Sequence, residues 1–532
     1  MNWRSVLLAI PGVKALVGLA YRNAYRSAYI TASSTGHRPP AAPNAASFDA
    51  NREVIQGLDV SRGRAILGYW NNPIARNIAD NRRARTIGAE IQFRAAVPDG
   101  EIVGLSSDQV EQINRRLTGL YRRWADRGEC DATKAAGQGR TIGTFQGQAF
   151  LDSDVRGAVL IHAVQRPGNS VCPLAFELIP VTRMRRPYGK PGGPIDQKLI
   201  NDAGIQFADP EHSRVIGYWV SIGGTSSVAA TRYAFLPAEW TCLLETEALQ
   251  GVEIGQPRDV AIAKGLQNIA EFTHESIQAA REQAKSPMTI TPPETTTADN
   301  FAAALSDGSQ VKPGGSGSEL FMDVGPGVSA RVMPPGAKAE RHAVSLPAPG
   351  LAEFYNAQGR FIAAGAGMSP SRAVRMAPPN YSGGRNDEQS DLPQIEIDRE
   401  RFYSAGRWMW AKFVESCWAF GAISLPGFLD NRAAYEACEV DYPAEQALNP
   451  VDQFNALSGR VRAGYSSEFE AAAAYGRAYE TVLRERVKAI QLRRRIEIEA
   501  GLDPGELDEA PLPGSPIPAA PPEPPSEPPS DD

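Results

Sequence analysis

Chemically reactive side chains are scarce in this 532-residue chain, and none of them is grouped. The five histidines (His37, His162, His212, His274 and His342) stand apart, with no His-x-x-x-His pair of the kind that holds a metal on a helix. The five cysteines (Cys130, Cys172, Cys242, Cys417 and Cys438) are odd in number, scattered and without a Cys-x-x-Cys. That argues against a disulfide framework and a zinc site, and they read as separate thiols of a reducing compartment. No Gly-x-Ser-x-Gly elbow occurs. Gly189-Lys190 runs into Pro191 and lacks the upstream glycine of a phosphate-cradling loop. Gly325, Gly327 and Ala330 fit the letters of a dinucleotide fingerprint, but in Pro-rich sequence with no helix to follow. Carboxylate pairs such as Glu396 and Glu400 have the spacing of a solvated helix face. The chain reads as a non-enzyme without metal or cofactor.

Long apolar runs are also missing. Val6–Ala20 is interrupted by Pro11 and Lys14 and falls short of the ~20 residues a membrane span needs, so it reads as an amphipathic packing segment, with membrane association the minor alternative and no membrane partner expected. Strong charge bias is absent too. The net charge is −6, but eight acids and no base lie between Asp503 and Asp532, which leaves the preceding body at +2. Such a body is not a tight wrap-around DNA binder. Eleven prolines in the same 30 residues predict a disordered or extended acidic tail at 503–532.

What is present is enough apolar sequence, 42% of residues, to bury several cores. A Ser/Pro/Ala-rich connector at 33–49 precedes helical sequence from Asp59. There Arg62, Arg64, Arg76, Arg82, Arg83 and Arg85 alternate with Ile66, Leu67, Tyr69, Trp70, Ile74 and Ile78, and on their own the arginines read as a solvated face. Another helix is expected over 100–126. Strands are expected at Thr141–Leu151, Ala158–Gln165, Phe176–Thr182 and Val215–Ile222, from β-branched and aromatic content with Gly/Pro punctuation. In 259–285, Ile262, Leu266, Ile269 and Ile277 recur at helical steps, with Arg281 and Lys285 near the end. A Thr/Pro/Gly-rich stretch then runs to about Pro349, and a second helix starts near Leu351. The aromatics of 395–420 predict a long helix with a core stripe, and 467–500 predict one more helix, stopped by Gly501.

The most telling stretch is 355–385. A helix ending Ala363-Ala364-Gly365-Ala366-Gly367 leads to Asn380-Tyr381-Ser382-Gly383-Gly384-Arg385, and Arg372, Arg375 and Arg385 are its only charges after Arg360. This resembles the lambda family of bacteriophage portal proteins, with Gly383 in place of a second serine. Further landmarks fall in order: Asn71, Asn72, Ala75, Gly88 and Ile91; Gly204, Ile205, Asp209, Arg214, Gly217 and Tyr218; Pro237-Ala238-Glu239; and Gly255-Gln256-Pro257-Arg258. Gly421, Ile423, Leu425 and Pro426, then Asn449-Pro450 and Tyr475-Gly476-Arg477, complete the series. The pattern departs at Asp259, where a glycine is usual.

The resemblance implies an α+β portal fold with a mixed α/β wing, paired stem helices, a small β-containing clip and an α-helical crown. Its expected divisions are an N-terminal segment and linker (1–50), wing (51–257), stem helix (258–286), clip (287–346), returning stem helix (347–366), tunnel loop (367–395), long wing helix (396–420), crown (421–502) and tail (503–532). It further implies a dodecameric ring at a unique capsid vertex, a channel for sequence-independent passage of double-stranded DNA. Terminase large subunit, major capsid protein and a head-completion or adaptor protein would be its partners. It would reside in the virion, and in host cytoplasm during assembly. Arg372, Arg375 and Arg385 would lie near DNA, with Asn380 and Tyr381 shaping the loop; inter-subunit ion pairs are the alternative role for these arginines. Arg484, Arg486, Lys488, Arg493, Arg494 and Arg495 would form a basic crown face. A nucleic-acid-processing enzyme would need an acidic metal cluster or nucleotide loop, and neither is found. A scaffold or adaptor acting through the Pro-rich tail is the other class, separable by deleting 503–532.

Overall fold

In the computed structural model, the described residues are 50–98, 103–135, 138–187, 199–209, 214–222, 232–246, 252, 254–285, 289–290, 311–313, 320–325, 328–332, 351–378, 380–443, 449–477 and 479–501. The apolar segment at 6–20, the connector at 33–49 and the acidic tail lie outside them. The chain divides into two compact units, one ending at Pro443 and the other beginning at Ala444.

The first unit opens with two helices, α1 (Ala50–Asn71) and α2 (Pro73–Thr86). Asn72 separates them: its side chain accepts from the Ile74 and Ala75 amides, and Pro73 follows at the first helical position, which lacks an amide partner anyway. The solvated-face reading of the arginines fails at two positions. Arg62 and Arg82 are buried. Arg62 donates from Nε to the Arg156 carbonyl at 2.9 Å, and burial, partly offset by Asp59, lowers its pKa to about 10.

After β1 (Gln92–Ala95) and α3 (Ser107–Asp126), the chain forms α4 (Ile142–Arg156) where a strand was expected. Ile142, Phe145, Gln146, Ala149, Phe150 and Ser153 recur at helical intervals and are all buried, so tertiary packing overrides β-leaning composition. Gln146 takes the place of a sheet partner, its amide accepting from Ile91 N at 2.9 Å and donating to Ile91 O at 3.0 Å. The remaining strand expectations hold. β2 (Ala158–Gln165) lies between β3 (Leu174–Pro180) and β7 (Thr241–Glu245), both antiparallel to it. A second antiparallel sheet orders β4 (Ile205–Phe207), β5 (Val215–Ile222) and β6 (Arg232–Pro237).

Helix α5 (Ala263–Lys285) runs antiparallel to α6 (Leu351–Ala366). Ile262 reaches Gly365 at one end, and the Phe272 and Phe354 rings lie 4.5 Å apart further along. Ile262, Leu266 and Ile269 are buried with Ile362, Ala363 and Ala366, whereas Ile277 is exposed, and the side chains of Arg281 and Lys285 are outside the described set. Between these helices in sequence, β8 (Thr289–Ile290), β9 (Val311–Pro313), β10 (Leu320–Gly325) and β11 (Val328–Val332) form a four-stranded sheet. The nominal dinucleotide fingerprint falls at its β10–β11 hairpin, where Gly325 pairs with Val328.

The short helix α7 (Pro370–Ala373) leads to α8 (Tyr381–Ala419), 39 residues and about 58 Å long. Asn380 caps α8 by accepting from the Gly383 amide at 2.7 Å, so helix replaces the loop expected over 381–395. Pro393 lies inside it. Of the expected aromatic stripe of α8, Phe402, Trp410 and Phe413 are buried together with Met409 and Cys417, whereas Tyr403, Trp408 and Trp418 are half-buried. Around it, Tyr121 packs on Trp410 at 5.1 Å and on Phe413 at 5.2 Å, and Trp124 on Phe176 at 5.8 Å. Gly406 is where Phe93 crosses; a Cβ there would meet the ring at 2.3 Å. Residues 421–443, grouped with the later helices on sequence, instead finish this core through Ile423, Leu425, Phe428 and Tyr435, α9 (Arg432–Tyr435), and β12 (Cys438–Asp441), which pairs with β1.

The second unit contains α10 (Pro450–Arg462), α11 (Glu468–Ala473) and α12 (Tyr479–Ala500). The single helix expected over 467–500 is two, broken where Gly476 adopts a left-handed φ of 68°.

Candidate functional site

The segment joining α6 to α8 carries the residues singled out on sequence. As α6 ends, the Gly367 and Met368 amides donate back to the Ala364 and Ala363 carbonyls. Ser369 then donates through its amide and its hydroxyl to Asp391 of α8, at 2.7 and 2.9 Å. The same carboxylate, almost fully buried, pairs with Arg372 Nε and Arg85 Nη1, each at 3.3 Å. From α2, Asn77 donates to the Arg372 and Ala373 carbonyls at 2.7 and 2.9 Å and accepts from Arg375 Nε at 2.9 Å. Arg375 sits at φ 56°, a left-handed conformation uncommon outside glycine, and Asn77 holds it there by bonding its side chain and the Arg372 and Ala373 carbonyls that precede it.

The loop arginines are thus sorted by the fold. Arg372 is tied to Asp391, and Arg375 reaches Asn77 while remaining exposed. Arg385, Asn380 and Tyr381 are exposed at the start of α8. Two residues that hold this segment, Asn77 and Asp391, were missed on sequence. A signal for Asp391 existed: stepping the core stripe of α8 backwards from Phe402 by fours and threes lands on Asp398, Ile395 and Asp391, all buried. Carboxylates on a core stripe require buried partners.

Asp398 has such partners in a second cluster behind the loop. Arg82 donates from Nη1 to Asp154 at 3.0 Å and to Asp259 at 3.1 Å, and from Nη2 to the Ala366 carbonyl at 2.8 Å. Arg258 bonds Asp398 at 2.6 Å and lies 3.6 Å from Asp154. Arg401 lies 3.9 Å from Asp154 and 4.0 Å from Asp398, over the Phe150 ring at 4.7 Å. Burial pushes the Asp154 carboxyl up, but Arg82, Arg401 and Arg258 outweigh it and hold it below its ordinary value. Asp259 is raised, because burial and the like charge of Asp154 exceed what Arg82 and Arg258 restore. Asp259, the departure from the family pattern, is therefore a ligand of the buried Arg82.

The expected crown bases do not share one face. At about 100° per residue, Arg484, Lys488 and Arg495 fall together, Arg486 and Arg493 fall on a different side, and Arg494 lies among apolar positions. Among the described residues no group of three or more His, Cys, Asp or Glu could hold a metal ion, and no helix is long and apolar enough to cross a membrane.

Paired antiparallel helices, a strapped arginine-bearing connection and a long core helix make this a mixed helix-and-sheet architectural protein. The model of the phage portal protein family, lambda type, matches residues 37–399, and the chain belongs to that family. No curated protein matches it. Solved structures similar to it include a chain in the neck of an empty gene transfer agent particle computed with C6 symmetry (12% identity, 84% of this chain and 98% of that one, TM-score 0.38). The neck of a native particle computed with C12 symmetry gives 12% identity over 79% and 93% of the two chains, with TM-score 0.37. The virion of a native gene transfer agent particle gives 12% identity over 85% and 98%, again with TM-score 0.37.

Proposed function

We propose that the protein is a portal: a dodecameric ring at one vertex of a tailed-phage or gene-transfer-particle capsid, through which double-stranded DNA is packaged and later ejected. The observation that carries this reading is family membership over residues 37–399. Ring assembly agrees with the second unit, where Glu497 is the only buried residue among those described, while Val451, Phe454, Phe469, Leu483, Val487 and Ile490 are exposed. Such a unit gains its apolar contacts from copies of itself.

DNA sliding through a ring calls for sparse contacts to phosphates that ignore sequence. Arg375 and Arg385, repeated around an axis, supply a weak and salt-screened collar, while Arg372 serves to hold the loop in shape. The sheet within 287–346 is the docking site for the terminase large subunit during packaging and for a head-completion or adaptor protein afterwards. The major capsid protein surrounds the ring, which assembles in host cytoplasm and remains in the virion.

Electron microscopy of purified full-length protein tests this directly. Closed rings in end-on view, with a central hole about as wide as duplex DNA, are the expected result. Monomers that stay monomeric even when co-expressed with capsid components would refute it.

A further inference from the structure

Next to the buried charge cluster is a cavity of about 470 Å³, lined by Arg258, Ala261, Gln394, Ile397, Asp398 and Arg401 among others. The Arg401 side chain is only 8% exposed, yet none of its three guanidinium nitrogens has a hydrogen-bond partner among the described residues. Its carboxylate neighbours, at 3.9 and 4.0 Å, are close enough to attract it but too far to accept its protons. Five N–H donors without acceptors inside a protein is a costly arrangement, and the cavity is the place from which acceptors can come. Phe150 occupies one face of the guanidinium, so acceptors must approach its edge.

The charges select the occupant. The cluster as a whole is balanced, three arginines against three aspartates, but Asp154 and Asp259 do not line the cavity. The lining itself has two guanidiniums and one carboxylate, and that carboxylate already accepts from Arg258 at 2.6 Å. We propose that this cavity is an oxyanion site that takes a phosphoryl group on Arg401 and Arg258. Planar guanidiniums suit such a group because they offer parallel donors to its oxygens. Either free phosphate or a phosphodiester of nucleic acid presents this chemistry. The inference rests on the cavity and not on ring assembly, so failure of one leaves the other standing.

The test is calorimetric titration of the full-length protein with inorganic phosphate in chloride buffer. Saturable binding of one phosphate per chain is expected. Ile397 is on the rim and 44% exposed, so Ile397→Glu adds a negative charge without disturbing the core and should weaken binding about tenfold. Ile397→Lys should retain or tighten it. Arg401→Met should abolish it, with circular dichroism to confirm folding. If a short DNA duplex displaces the phosphate, the natural occupant is a phosphodiester; if it does not, the occupant is the free anion. The proposal is overturned by absence of saturable binding, or by an Ile397→Glu affinity equal to the unaltered protein, which would mean that the cavity holds water alone.

Discussion

Arg82 links α2 to Asp154 on α4, to Asp259 before α5 and to the carbonyl that ends α6, so one side chain joins four segments. Replacing it with methionine keeps the volume but leaves Asp154 short of its nearest cation. Breaking a buried pair from one side costs about 3–5 kcal/mol, and Arg82→Met is expected to lower the denaturant midpoint accordingly. Asp259→Gly, which restores the residue usual in the family, removes only one of the two carboxylates and should cost less, about 1–3 kcal/mol in the same assay. A second residue-scale effect concerns pH. Burial lowers the pKa of His162, although its Nδ1 contact with the Trp240 carbonyl at 3.1 Å and Glu177 opposite it act the other way. The folded-state value is depressed, so the unfolded chain binds the proton more readily. Stability is therefore fully present above the unfolded value of about 6.5 and is lost as pH falls through the folded value. Melting temperature should drop between pH 7 and pH 5, and His162→Gln should flatten that part of the curve.

Helix α8 illustrates how an element can be legible at its centre and obscure at its start. Its aromatics, at three- and four-residue steps, announce a core helix because burial of large rings is tied to helical period. Its first turns carry two glycines, a polar run and Pro393, and local propensity there opposes helix. What starts the helix is the Asn380 cap, and what keeps its early part in place is Asp391 bonded to Ser369, Arg372 and Arg85. Asn380→Ala should cost about 1 kcal/mol and speed amide exchange selectively over 381–392, leaving 400–419 protected. Uniform exchange along α8 would refute this role for the cap. The same contrast explains α4, whose Thr, Ile, Phe and Val content points to strand until its buried positions are seen to repeat every three or four residues. The ordered family landmarks led to the arginine-bearing loop. The buried cluster stayed hidden because Arg82, Asp154, Asp259, Asp398 and Arg401 are spread over three hundred residues and meet only in the fold.

At the scale of the whole molecule, the two units divide the work of stability. Among the described residues the four apolar clusters all belong to the first, ending with Tyr435 and its neighbours, and the family match also lies within it. The second unit has amphipathic helices without a core among its described residues, and on α12 Leu483, Val487, Ile490 and Ile498 fall on one exposed side. If that side meets other copies, charges placed on it should block assembly without unfolding the chain. Leu483→Asp, Val487→Asp and Ile490→Asp combined are expected to shift mass photometry from rings to monomers. The main thermal transition, governed by the first unit, should move by less than about 2 °C, since surface substitutions away from a core seldom exceed ±0.5 kcal/mol. Deleting 503–532 is the matched control and should leave rings intact. Persistence of rings in the triple variant would place the contacts between copies on the first unit, and loss of rings on deleting the tail would favour an adaptor acting through its prolines.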